Sequence, residues 1–179
     1  MMKYYQILYD YSNSDDLMFL RFNESELSFG RYDVHNTKAI ATESIYCTIA
    51  EDQTEECDYI ANNLVWLVIS EKTKKIFERF NICKCQYIKV IDKATGKLVG
   101  YLVSCLESCD AIDEENSVGS YDFAGFSAIK YAVKEDKTRD LDFFQLEEIV
   151  SPYFISERLY KELKKNKVKG FDFSLIKTT

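Results

Sequence analysis

The sequence holds one histidine, His35, one proline and only six glycines. A lone histidine excludes every motif that needs two, including the HExxH zinc helix. Scarce Gly and Pro exclude collagen-like and linker-like chains. No Gly-rich phosphate loop is present, because Gly96 and Gly100 fall on a hairpin pattern rather than between a strand and a helix. No G-x-S-x-G nucleophile elbow occurs. The longest apolar run, residues 64–69, is far short of the ~20 residues that a membrane-spanning helix needs. The opening MMKYYQILYD lacks an apolar signal core, since Asp10 interrupts it, so a cytoplasmic protein is expected.

What is present points to a folded chain. The 179 residues are 46% hydrophobic and include 13 Tyr and 12 Phe, far too aromatic for disorder. The net charge is −7, and it is unevenly spread. Residues 1–60 carry four basic groups (Lys3, Arg21, Arg31, Lys38) against twelve acidic ones, whereas the remainder is close to neutral. Such a surface repels nucleic acid and anionic lipid and attracts basic proteins or cations. Its densest part is Glu51, Asp52, Glu55, Glu56 and Asp58.

Six cysteines occur at 47, 57, 83, 85, 105 and 109. Without a secretory signal they are expected to be reduced, small apolar residues rather than disulfides. A hairpin of 86–91 and 97–104 around Asp92-Lys-Ala-Thr-Gly96 brings Cys85 near Cys105. Cys83, Cys85, Cys105 and Cys109 are then an alternative zinc group, although their spacing is not that of a zinc knuckle. The reading adopted is no metal and no cofactor. Asp110, Asp113, Glu114 and Glu115 form an acidic loop without EF-hand order, expected to be solvated. His35 lies in no recognisable nucleophile context and is expected as a solvated loop or strand-end residue.

Along the chain, residues 3–9, 17–22, 27–34 and 44–49 read as strands, separated by a polar turn at 10–16. Residues 51–62 read as a short helix or a loop. The continuous run 64–69 reads as a strand buried on both faces. Ser70 caps a helix carrying Ile76, Phe77 and Phe80 and ended by a left-handed Asn81. Ile155-Ser-Glu-Arg158 echoes Ile69-Ser-Glu-Lys72 at an offset of 86 residues, with Ser156 capping a helix that bears Leu159, Tyr160 and Leu163 and stops at Asn166. An alternating strand follows from Gly170 to Ile176. Residues 126–133 and 141–145 read as strands joined by the charged turn 134–140. The fold class is α+β, a mostly antiparallel sheet with two strand–helix–strand units and a β-rich N-terminal part. Residues 1–62 are read as that acidic part and 63–179 as the α+β core, as two units or one continuous domain.

Four stretches carry a resemblance: Leu67 to Phe77 with Phe80-Asn-Ile82; Tyr87-Ile-Lys-Val90; Asp110-Ala-Ile-Asp113 with Ser117; and Phe143-Phe-Gln-Leu146 through Ile155-Ser-Glu-Arg158 to Val168-Lys-Gly-Phe171. In order and spacing, residues 62–179 resemble the bacterial immunity protein family eleven of polymorphic toxin systems, long a domain of unknown function. The first 60 residues match nothing specific. The resemblance implies a cytoplasmic antitoxin-like protein that binds and neutralises a cognate toxin domain. It implies no catalytic residue and no enzyme activity; the charge and the short apolar runs separately lead to the expectation of neither nucleic acid nor membrane as partner. A toxin acting on nucleic acid presents a basic cleft, which Glu51, Asp52, Glu55, Glu56 and Asp58 suit as phosphate mimics. Abundant Tyr suits a contact surface. The alternative is an uncharacterised enzyme or metal-binding module using the 110–115 loop or the cysteine group.

Overall fold

The computed structural model describes residues 2–13, 16–53, 55–122, 125–147 and 152–179. Among the described residues, thirteen strands and three helices are found in chain order: β1 Tyr4–Tyr9, β2 Phe19–Arg21, β3 Ser44–Ile49, β4 Ala61–Asn62, β5 Val68–Ile69, α1 Glu71–Phe77, β6 Cys85–Asp92, β7 Leu98–Cys105, β8 Val118–Asp122, β9 Gly125–Lys130, β10 Ala132–Val133, α2 Glu135–Thr138, β11 Phe143–Gln145, β12 Tyr153–Ser156, α3 Glu157–Lys165 and β13 Phe171–Thr178. They form a six-stranded sheet (β4-β2-β3-β6-β7-β5), a five-stranded sheet (β10-β13-β1-β12-β11) and the separate hairpin β8-β9. The architecture is β-rich α+β, but the sheets are mixed rather than simply antiparallel. The pairs β2–β4, β3–β6 and β10–β13 run parallel, each joining strands that no tight turn connects.

Period-two alternation gives the six-stranded sheet two apolar faces. Ile88, Val90 and Leu102 enter one core with Leu20, Ile45, Cys47 and Trp66. Val103 and Cys105 enter the other, with Phe77, Phe143, Phe154 and Leu159. The second core is shared by both large sheets and by α1 and α3. The β6–β7 hairpin matches the sequence reading. Asp92 accepts from the backbone N–H groups of Ala94 and Thr95, and Gly96 takes φ +68°, where a side chain is disfavoured.

Both long helices begin at the serines expected. The Ser70 hydroxyl oxygen accepts from Thr73 N–H, and the Ser156 hydroxyl oxygen accepts from Leu159 N–H, each at 3.2 Å. Behind each serine stands a buried aspartate. Ser70 donates to Asp58 at 2.7 Å and Lys72 donates to the same carboxylate at 3.2 Å. Ser156 donates to Asp142 at 2.5 Å, and Arg158 grips Asp142 through two N–H groups at 3.0 and 3.1 Å. The segment after each helix returns to the other helix's aspartate. Asn81, beyond α1, donates its N–H to Asp142, and Lys169, beyond α3, donates its N–H to Asp58.

The repetition extends to the sheets. One half reads β3-β6-β7-β5, with Tyr59 bridged to Ile69 beyond β5; the other reads β10-β13-β1-β12-β11. At every step the senses agree: one parallel pairing, then three antiparallel ones. In the first half the middle strand, β7, follows β6 in the chain. In the second half the same place is filled by β1, from the opposite end of the sequence. Strands from the first 62 residues therefore pair with strands of the remainder in both large sheets: β1 with β12 and β13, and β3 with β6.

Several local readings need correction. Only Val68–Ile69 of the run 64–69 is strand; Val65 is exposed at φ +58°, because the Asn62 side chain bonds the backbone of Ile60, Leu64 and Trp66 into a loop. Residues 27–34 form no strand, since Asp33 accepts from Gly30 N–H and starts a short turn of 3-10 helix at 33–35. Asn81 does not adopt a left-handed conformation, and α1 ends at Phe77; at the end of α3 it is Lys167 that takes φ +52°. The charged turn at 134–140 contains α2, and strand pairing in 126–133 breaks at Tyr131. Within the predicted turn at 10–16, Ser14 and Asp15 lie outside the described residues.

Removing Asp142 or Asp58 strips a helix cap, a cation and a returning backbone N–H of their common acceptor. Asp142→Ala and Asp58→Ala are each expected to lower stability by about 2–4 kcal/mol, against about 1 kcal/mol for Ser156→Ala. Urea midpoints at constant m-value measure this, and losses below that of Ser156→Ala would contradict the assignment.

Candidate functional site

The acidic segment leaves β3 as a turn folded back on β2. Ala50 donates to the Phe19 carbonyl, Phe19 to Gln53, and Met18 to Glu55. This backbone clamp turns Glu51, Asp52, Glu55 and Glu56 outward, and all four are exposed. Among the described residues, Glu51, Asp52 and Glu56 make no ion pair, whereas Glu55 pairs with Lys169. Asp58 does not join them. It is 8% exposed and committed to Ser70, Lys72 and Lys169. A groove of about 720 Å³ runs between Glu56, Lys72, Asp92, Lys97, Lys167 and Lys169. Basic groups of the chain's C-terminal part thus stand beside the acidic turn, a neighbourhood that spacing in the sequence does not show.

The cysteines divide differently from the sequence reading. Cys85 and Cys105 face each other across β6–β7, and Cys83 folds in from just before β6. Their three sulfurs form a triangle with all sides 3.6 Å. Cys109 stands apart, its sulfur 3.5 Å from the Lys137 carbonyl oxygen. Cys83 and Cys105 are buried and Cys85 is half-buried. Contacts with Cys105 and Cys85, helped by the Gln145 backbone N–H, pull the Cys83 thiol down against the opposing effect of burial. Cys105, whose sulfur accepts from Cys83 and Cys85, is pushed well up. Close to the triangle lie the Tyr87 and Tyr153 hydroxyls, buried and without a hydrogen-bond partner among the described residues. Burial raises both phenols, and the cysteines add to the effect. These residues escaped the sequence reading, because a lone Tyr in a strand resembles any core aromatic.

The acidic loop is not assembled as a catalytic pair. Asp113 accepts from Thr179, Asn116 N–H and the Asn116 amide, and these bonds hold its carboxyl below the ordinary range. Glu114 accepts from Tyr121 instead. The β8–β9 hairpin beside this loop exposes Val118, Tyr121 and Ile129. His35 ends a short 3-10 turn and packs against Tyr153, with ring centres 6.2 Å apart. Burial lowers its pKa from 6.5 to about 4, and Nδ1 has no partner among the described residues. The folded state binds this proton less readily than the unfolded state, so the stability contribution is complete above pH 6.5 and declines as pH falls toward about 4. His35→Gln should flatten this decline, and the ring signals of the sole histidine should titrate near 4; an NMR titration midpoint near 6.5 would contradict this.

No helix among the described residues is long and apolar enough to cross a membrane. No curated protein matches the chain. The model of the immunity protein family Imm11 matches residues 9–178, so the likeness first seen from residue 62 onward extends through the acidic segment and β1's last residue. The match includes nearly the whole sequence, and the chain belongs to the immunity protein family Imm11.

Proposed function

We propose that this protein binds a cognate bacterial toxin domain in the cytoplasm and neutralises it by covering its working surface, without catalysis of its own. The observation that carries this reading is the family match over residues 9–178. The contact we assign is the acidic turn after β3, with Glu51, Asp52, Glu55 and Glu56. Three of these are exposed and free of ion pairs among the described residues. The carboxylate of the fourth, Glu55, pairs with the exposed Lys169, a pairing of roughly 0–1 kcal/mol that a stronger partner can replace. Asp58 is left out of the contact set, because its burial and three bonds make it a structural group. A partner with a basic cleft, such as a toxin acting on nucleic acid, suits four neighbouring exposed carboxylates.

The test is the association rate with the toxin domain encoded in the adjacent upstream reading frame, measured across a salt series. Association should slow as salt rises. The combined Glu51→Gln, Asp52→Asn, Glu55→Gln and Glu56→Gln variant should associate about tenfold more slowly at low salt, with dissociation little changed. Rates indifferent to both salt and these changes would remove the acidic turn from the interface. Failure of the unmodified protein to bind or protect against the toxin would remove the immunity reading itself.

A further inference from the structure

We propose that Cys83, Cys85 and Cys105 form a three-thiolate site for a single Zn²⁺-class ion, closing the open end of the β6–β7 hairpin. The site does not depend on the toxin-binding reading. Its first support is distance. All three sulfur separations are 3.6 Å. Four sulfurs placed tetrahedrally about zinc at 2.3 Å are roughly 3.8 Å apart, so three corners of the tetrahedron already stand near their places. A relaxation of a few tenths of an ångström suffices, with no strand movement.

The second support is how the ligands are held. Cys85 and Cys105 are direct partners in an antiparallel ladder, so their side chains lie on the same face. Cys83 is tied from another direction, its N–H donating to the Phe143 carbonyl at 2.9 Å. The triangle is thus fixed by both large sheets.

Ligand type selects the ion. Three soft sulfurs, with no fourth Cys, His, Asp or Glu ligand atom in the cluster among the described residues, suit Zn²⁺ and its soft analogue Cd²⁺ rather than Mg²⁺ or Ca²⁺. The remaining coordination position is left to water, on the half-buried Cys85 side. On binding, each thiol still carrying its proton gives it to solvent, and the sulfur lone pair forms the metal bond. No electron is transferred.

The full chain, reduced with a phosphine and stripped of metal, is titrated with Cd²⁺ and separately with Zn²⁺. One equivalent of Cd²⁺ should produce an ultraviolet thiolate-to-metal absorption of three-sulfur intensity. One equivalent of Zn²⁺ should raise Tm, and Cd²⁺ added afterwards should displace it with the same absorption. Cys83→Ser and the half-buried Cys85→Ser should each weaken binding more than about 100-fold, beyond the effect of losing an outer-shell partner. Cys109→Ser should bind as the unmodified protein does. Absence of the absorption in the unmodified protein, its persistence in a folded Cys85→Ser variant, or its loss in Cys109→Ser would each overturn the proposal.

Discussion

Two buried carboxylates hold this molecule together. Asp58 and Asp142 each accept from a capping serine, a cation in the first turn of the helix and the backbone of the segment leaving the other helix. A buried carboxylate is costly to desolvate unless its oxygens are satisfied. Here the groups that satisfy each one come from parts of the chain that would otherwise be independent. The start of α1 is thereby linked to the end of α3, and the start of α3 to the end of α1. The Arg79–Glu162 ion pair spans the same two helices. The two halves share one core with both sheets, and β1 lies between β12 and β13.

This arrangement determines where the functional groups stand. Asp58 is the point at which the acidic segment enters the core, and Gln53 and Glu55 are bonded back to β2's side through Phe19 and Met18, so Glu51, Asp52, Glu55 and Glu56 stand on an anchored segment. The reciprocal return of 167–169 sets Lys167 and Lys169 on the groove beside it. The net charge of the N-terminal third therefore overstates the field that a partner meets. The thiol triangle has a related origin. Cys83 lies on the connection from α1 to β6, whose Asn81 is held by Asp142, and the ladder does the rest.

Much was legible locally. Ser70 and Ser156 were identifiable as caps because a hydroxyl before an acidic, amphipathic stretch satisfies orphaned N–H groups. Asp92 to Gly96 was legible as a turn, and β3 as an alternating strand, for equally local reasons. The run 64–69 misled, because apolar composition says that a segment is buried and not that its backbone pairs in a ladder. Asn62 bonds the loop from within, and that bond leaves no periodic trace.

The sequence by itself determined the helix caps, the hairpin, the acidity of the first 60 residues and the likeness to an immunity family. Each of these rests on neighbours along the chain or on the order of short motifs. Only the tertiary structure decided that Asp58 belongs to the frame rather than to the exposed acidic turn, that three of the four grouped cysteines converge, and that β1 completes the half opposite to its own end of the chain. Those outcomes depend on pairing across long sequence separations. Side-chain periodicity records which face of an element is buried and carries no information about which distant partner covers it.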